Sequence, residues 1–378
     1  MTLGQYPGVP WKNIYATCEY NAMVQKKTIL KILSEYDPDE ITIATICSHS
    51  SLQIFNGAKK EGFHTLGIAI SQNTRFYDAF PLGKPDEIMV LANFQEMLDK
   101  ADELISKNVI VIPHGSFVEY LGAKNFEKMA VPTFGNRSVL SWESDREKMR
   151  DWLISAGIDM PDKIDDAKKI DRPVLVKYHG AKGGRGFFIA KDYPEFKMGI
   201  DASQPYTIQE YILGTRYYLH FFYSPIKDSG YKVLDGSLEL LSMDRRDESN
   251  IDELYKLGSS EELKRLGYFP TFVVTGNVPV VLRESLLPKV FEMGERVVKR
   301  SEELFGGMIG PFCLESIVTD KLQFKVFEIS SRIVAGSNPF VSGSPYSDLI
   351  EPEMSTGRRI SREIKLGLEQ DKLDRIIS

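Results

Sequence analysis

Two glutamates, Glu315 and Glu328, lie in the stretch "GPFCLESIVTDKLQFKVFEISSRIVAGSN". Both sit in apolar β-type runs on either side of a turn at Thr319 to Leu322, and any even-length loop puts them on one face of the resulting hairpin. With Asp320 and Lys321 as the loop they are diagonal neighbours; with Asp320 to Gln323 as the loop they are directly opposite. Like charges so placed repel unless a cation lies between them. Mg²⁺ is usually held by one or two carboxylates together with phosphate oxygens, which makes a nucleotide-bound Mg²⁺ the natural candidate. Surface glutamates bridged by lysines are the alternative, and the apolar setting of both residues weighs against it. Arg332 is expected on the strand face of Glu328 and Ser330, where it would neutralise a phosphoryl group in transfer.

A second stretch, "RPVLVKYHGAKGGRGFFIAKD", supplies cations and bare backbone. Val174 to Tyr178 read as a strand with Lys177 near its end. Gly180, Gly183, Gly184 and Gly186 then allow close approach of successive N–H groups to an anion, while Lys182 and Arg185 add charge. Neither a Walker loop nor a Rossmann GxGxxG is present. Another strand follows, so the segment reads as a β-hairpin with a glycine-rich flap. Downstream, "YTIQEYILGTRYY" is a strand reaching Gln209 and Glu210, a turn near Gly214, and a second strand. A connector of this kind can read an adenine edge through its backbone while a carboxylate takes ribose hydroxyls.

The elements that must position these groups fall into two patterns. From about residue 27 the chain alternates helix-like and strand-like runs ("KKTILKILSEY", "EITIATIC", "SSLQIFNGAKKEGF", "FHTLGIAI", "DEIMVLAN", "VIVIPHG"), which predicts a parallel sheet with crossover helices. Ligands of such sheets sit beyond the carboxyl ends of the strands. Two of those ends carry "SHSS" (Ser48 to Ser51) and "PHGSF", with Ser116 opening the next helix. Their serines are either plain N-caps or donors to an anion; His49 and His114 in the same loops suit hydrogen bonding better than metal ligation. Residues 138 to 157 predict one amphipathic helix ended by Gly157. Beyond it, short strands joined by turns, with helices near 285 to 305 and 346 to 367, predict a mainly antiparallel α+β domain.

The 378-residue length is enough for two or three domains. A net charge of −6 argues against a nucleic-acid coat protein, so an anion site must be a local cluster. Cys18, Cys47 and Cys313 show no metal-type spacing and read as core residues of a protein in a reducing compartment. With no signal-like start and no apolar run near the ~20 residues of a membrane span, the expectation is a cytoplasmic protein.

Taken together, the strand lysine before a glycine-rich flap, the "QEYI" connector and the two glutamates followed by an arginine resemble the ATP-grasp superfamily. More narrowly, "IATICSHSSLQIFNGAKKEGF", "PHGSFVEYLG", "MDRRDESNID", "PTFVVTGNVPVVLRESLL" and "FEISSRIVAGSN" resemble the archaeal FAICAR synthetase family. The resemblance runs through nearly all of the chain from Lys27 onward. It implies a parallel-sheet α/β domain at 27–137 and an ATP-grasp domain at 138–378, with the flap subdomain at about 160–215; residues 1–26 read as a leader with no counterpart in that pattern. It also implies ATP- and formate-dependent formylation of 5-aminoimidazole-4-carboxamide ribonucleotide (AICAR) through formyl phosphate, in purine biosynthesis. Glu315 and Glu328 would hold Mg²⁺ (or Mn²⁺), and Lys177 and Arg332 would serve the phosphates. Arg146, Lys177, Gly183, Gly184, Arg185, Gln209, Glu210, Ile212 and Glu248 would contact ATP, and His49, Ser116 and Asn277 the ribotide. Ser330 stands where much of the superfamily has asparagine, with Asn338 as the candidate replacement. A homo-oligomer, trimer or hexamer, is implied, with no nucleic-acid or membrane partner. Two readings stay open beside this one: an ATP-grasp ligase for another carboxylate and amine, and a nucleotide-binding paralogue that does not catalyse.

Overall fold

The structure, a computed structural model, describes residues 23–70, 74–178, 186–248 and 273–378. The first part alternates as expected: α1 (Lys26–Leu33), β1 (Thr42–Ile46), α2 (Ser51–Lys60), β2 (His64–Ile70), β3 (Glu87–Leu91), α3 (Ala101–Ser106) and β4 (Val109–Val111). The strands form one parallel sheet in the order β3-β2-β1-β4. Strands β1 and β4 are buried throughout, as sheets covered on both faces require.

After α4 (Ala123–Lys128), the single helix expected over 138–157 is two helices, α5 (Val139–Ser144) and α6 (Arg146–Ser155). The break lies at Asp145, whose backbone is extended and whose carboxylate accepts from the N–H groups of Glu147 and Lys148. An aspartate that caps a new helix gains more than it would by continuing the old one. The break puts Glu143 at the end of one helix and Arg146 at the start of the next.

A three-stranded antiparallel sheet follows, β5 (Val174–Tyr178), β6 (Phe187–Ala190) and β7 (Tyr206–Glu210) in the order β6-β5-β7, with α7 (Tyr193–Gly199) packed on it. The larger antiparallel sheet contains β8 (Thr215–Ser224), β9 (Tyr231–Val233), β10 (Gly236–Glu248), β11 (Val274–Pro279), β12 (Gly310–Val318) and β13 (Phe324–Ser330). Its order is β11-β10-β8-β12-β13, with β9 on β10. The two-residue alternation of strands gives it two unlike faces. Leu219 and Phe221 of β8, Met243 of β10, and Phe312 and Leu314 of β12 face the core. There they meet Val290, Met293 and Val297 of α8 (Leu287–Phe305). Each such side chain contributes about 1.5–3 kcal/mol by leaving water. The other face carries the polar residues described below.

The last helix, α9 (Thr356–Glu369), starts later than expected and returns to the parallel-sheet region, packing against α2. The two helices approach so closely that a Cβ on Gly57 would lie 2.3 Å from the backbone nitrogen of Arg358. Buried charges hold α9 in place: Glu61, at the end of α2, accepts from Arg358 and Arg362, each at 2.6 Å, and Arg359 bridges Glu239 of β10 and Glu363 of α9 itself, each at 2.7 Å. Among the described residues, no helix is long and apolar enough to cross a membrane.

Gly57→Ala is expected to lower stability. The gain in helix propensity, about 1 kcal/mol, is outweighed because the methyl meets backbone that cannot rotate away, and overpacking of this kind costs about 1–3 kcal/mol or more. A urea midpoint at or above that of the unsubstituted protein would contradict the tight α2–α9 contact.

Candidate functional site

The hairpin β12–β13 does bring Glu315 and Glu328 directly opposite each other, though by another route than an even loop. The Thr319 N–H donates to the Gln323 carbonyl at 2.9 Å, leaving Asp320, Lys321 and the left-handed Leu322 (φ 57°) in an odd loop. Farther along, Ser316 pairs with Val326 and Glu315 with Glu328, so Phe327 is an extra residue in a β-bulge. The bulge restores the alternation that the odd loop would have inverted.

Around this pair, alternate residues of neighbouring strands present Arg216, Tyr218 and His220 from β8 and Asp244, Arg246 and Glu248 from β10. Arg216 donates to both oxygens of Glu248 at 2.5 and 2.7 Å, and His220 Nε2 donates to Asp244 at 2.7 Å. Arg246 reaches across the Tyr218 ring, 3.7 Å from its centroid, to Glu315 at 3.0 and 3.3 Å. Ser330 Oγ also donates to Glu315, at 3.3 Å. Ser330 thus supports the first glutamate. Asn338 is engaged elsewhere: its amide donates to the His49 carbonyl at 2.9 Å and accepts from Gln53 at 2.7 Å.

Glu328 keeps access to solvent along the cleft while protein packs densely on its other sides. That desolvation, with the carboxylates of Glu315 and Glu143, pushes its carboxyl up to about 7, against the pull of Arg246 and Lys177. Glu143 of α5 is itself raised, by burial first and by Glu315. It holds Arg332 by a 2.9 Å ion pair and accepts the Ser331 N–H at 2.7 Å. Lys177 of β5 is lowered by burial and by the nearby charges of Arg146 and Arg216, with Glu328 opposing. Its ammonium donates to Gln209 at 3.4 Å. Lys177, Arg146, Arg216 and Glu328 therefore share one electrostatic environment. Glu210 accepts from the Asp162 N–H at 3.3 Å, and Ile212 lies half-buried in the connector to β8. Gly183, Gly184 and Arg185, with Lys182, lie outside the described residues.

The strand ends of the parallel sheet meet the same cleft through Arg332, whose guanidinium carbon would lie 3.4 Å from a Cβ on Gly115. His114 is wholly buried; its Nε2 donates to the Ile46 carbonyl at 2.9 Å and its Nδ1 accepts from the Ser116 N–H at 3.3 Å. Burial first, with Arg332 and His49 adding, lowers it to about 3, so it is neutral. His49, with φ 34°, stands edge-on to it with centroids 6.1 Å apart, and burial followed by Arg332 lowers its pKa too. The plain-cap reading of the serines does not hold at the two positions where it can be checked. Ser50 and Ser116 make no cap bond, and both hydroxyls are buried without a protein partner. Asn277 of β11 donates its amide to Asp244 at 2.8 Å.

Sequence reasoning missed Glu143, Arg216, Tyr218, His220, Asp244 and Arg246. The available signal was the polar alternation in "TRYYLH" and "MDRRDE", a pattern that marks one polar strand face. No group of three or more His, Cys, Asp or Glu arranged for a metal occurs among the described residues. Two facing carboxylates, one of them destabilised by its like-charged neighbours, nevertheless fit a hard divalent cation whose remaining ligands are phosphate oxygens and water.

The raised carboxyl makes a pH prediction for protein freed of divalent cations. The folded state binds the Glu328 proton more tightly than the unfolded chain, whose carboxyl titrates near 4.5, so stability falls as pH rises from there to about 7. Glu328→Gln should therefore melt higher than the unsubstituted protein at pH 8, with the gap closing near pH 5. A gap that does not change with pH would refute the shift.

Comparison with known proteins agrees with this arrangement. Two family models match, "Protein of unknown function (DUF1246)" over residues 43–164 and "Domain of unknown function (DUF1297)" over residues 198–378. A 5-formaminoimidazole-4-carboxamide-1-(beta)-D-ribofuranosyl 5'-monophosphate synthetase of Methanococcoides burtonii is 64% identical, covering 94% of this chain and 100% of the relative. One of Pyrococcus abyssi is 49% identical, covering 89% and 98%. The crystal structure of an IMP biosynthesis protein PurP from Thermococcus kodakaraensis superposes with a TM-score of 0.69 at 34% identity, over 89% of this chain and 100% of that one. The ADP complex of an N5-carboxyaminoimidazole ribonucleotide synthetase, at 12% identity and a TM-score of 0.61 over 87% of this chain and 77% of that one, shares the fold. This chain therefore belongs to the FAICAR synthetase (PurP) family and has its ATP-grasp fold.

Proposed function

We propose that this chain is an ATP-dependent carbon–nitrogen ligase that formylates the 5-amino group of AICAR with free formate, releasing ADP and phosphate. The observation that carries the chemistry is the facing pair Glu315 and Glu328 within a ring of cations: Lys177, Arg146, Arg216, Arg246 and Arg332. Such a site suits transfer of a phosphoryl group, where catalysis is positioning and charge stabilisation.

Formate attacks the γ-phosphorus of ATP and ADP leaves, giving formyl phosphate. The 5-amino nitrogen then attacks the formyl carbon, the C–O bond to phosphate breaks, and the nitrogen loses a proton. Lys177 and Arg146 face the polyphosphate, while Arg332, oriented by Glu143, neutralises the oxygens of the transferring group. Arg246 holds Glu315 by an ion pair and aims it. Glu315 and Glu328 would hold Mg²⁺ (or Mn²⁺), which supplies charge neutralisation on the phosphate oxygens. The connector at Gln209, Glu210 and Ile212 takes the adenosine, with Glu248 beside it. The flap of Gly183, Gly184 and Arg185 would keep water from the acyl phosphate. The ribotide lies between His49 and Ser116 on one side and Asn277 on the other. A soluble cytoplasmic homo-oligomer is the setting we propose.

Phosphate release is expected only when Mg-ATP, formate and AICAR are all supplied; release at the same rate without formate would overturn the proposal. Glu328→Ala should abolish turnover with the circular-dichroism spectrum unchanged. Full activity in that variant would remove the metal assignment while leaving the substrate assignment standing.

A further inference from the structure

Behind Asn277 lies a polar network that the reaction outlined above does not use. Asp244 is completely buried in the middle of β10, and His220 of the adjacent β8 is almost so. His220 Nε2 donates to Asp244 Oδ1 at 2.7 Å. The other oxygen, Oδ2, accepts from Asn277 Nδ2 at 2.8 Å. The third side is closed by the segment after β13, where a Cβ on Gly336 would lie 2.3 Å from Asp244 Oδ1. That segment continues to Asn338, which holds the carbonyl of His49. The buried pair therefore connects, through backbone packing, the two residues proposed to flank the ribotide.

Asp244 Oδ2 accepts from the Asn277 amide nitrogen, so the nitrogen is the Asn277 atom that faces the carboxyl group. This removes the ambiguity of an amide side chain and leaves its oxygen, Oδ1, directed away from Asp244. Among the described residues no group donates to that oxygen. We infer that His220 and Asp244 are positioning residues that lock the Asn277 amide so that its carbonyl oxygen faces the ribotide and accepts from an N–H or O–H donor. The selected ligand feature is a donor, and an analogue carrying an acceptor at that place is excluded. This rests on the reading of Asn277 as a ribotide contact. A carboxylate buried at this depth would otherwise cost stability without return, because among the described residues one histidine and one amide bond to it and Arg246 acts on it only through space.

The test is steady-state kinetics on the full chain, varying AICAR at saturating Mg-ATP and formate, for Asp244→Asn, Asn277→Ala and the double variant. Asp244→Asn allows the Asn277 amide to turn over, and it should raise the KM for AICAR roughly tenfold or more, as expected for a mismatched buried polar group, while leaving the KM for ATP unchanged. Asn277→Ala should raise the KM for AICAR as much, and adding Asp244→Asn to it should change that KM by less than about twofold, since the two act as one unit. If Asp244→Asn does not fold, the His220 variants decide. His220→Gln retains a donor and should keep the KM for AICAR, whereas His220→Leu should raise it. A KM for AICAR unaffected by Asn277→Ala removes the ribotide role of Asn277 and the inference with it. A raised KM in Asn277→Ala with no change in Asp244→Asn, or in His220→Leu where Asp244→Asn does not fold, overturns the positioning role alone. Equal losses toward ATP and AICAR would assign the pair a structural role and overturn it as well.

Discussion

Two carboxylates face each other across neighbouring strands, and much else in the cleft answers that repulsion. Glu315 is matched by Arg246, which crosses Tyr218 to reach it, and by the hydroxyl of Ser330. Glu328 has the ammonium of Lys177 within electrostatic reach and no protein donor among the described residues. Glu143 adds a third negative charge and is balanced by Arg332. Interior charges are tolerable only in such compensated sets. The set here is balanced less completely at Glu328 than elsewhere: Glu143 is raised too, but it has Arg332 and the Ser331 N–H, whereas Glu328 accepts no such bond among the described residues. The protein has thus concentrated its remaining electrostatic tension on one group at the cleft surface.

The architecture explains how residues so far apart reach one place. Strand β8 lies at the centre of the large sheet, between β10 and β12, and its polar face connects the two sides. The three-stranded sheet supplies Lys177, the break between α5 and α6 supplies Glu143 and Arg146, and the loops of the parallel sheet come up to Arg332. Helix α9, packed on α2 and tied to β10 through Arg359 and Glu239, holds the parallel-sheet region against the large sheet.

Much of this was legible in the sequence. The β-α alternation after residue 27, the antiparallel character of the second half and the strand position of Lys177 all follow from local pattern; the facing of Glu315 and Glu328 is expected from an even loop, whereas the loop is odd and the bulge at Phe327 supplies the register. What could not be read had a common physical cause: the partner was remote. Arg246 and Glu315 are 69 positions apart, and His220 and Asp244 are 24 apart. Nothing within either stretch shows which opposite charge will meet it in the sheet. The helix break was readable in principle, since "SDREK" contains its own cap, but the amphipathic period ran across it and took precedence. The serines could not be decided at all from sequence, because a cap and an unsatisfied hydroxyl have the same letters.

The bulge at Phe327 bears on how this hairpin can change length. Removing that residue, with the turn as it stands, would leave Glu315 still opposite Glu328 and Cys313 still opposite Ser330, because every pair beyond the bulge keeps its partner. The hairpin can therefore lose one residue at this point without separating its carboxylates. What would be lost is the local bend and twist that a bulge imparts, and with it the aim of Glu328 toward Lys177. In this hairpin the pairing is robust to a single-residue deletion, and the direction of the second carboxylate is not.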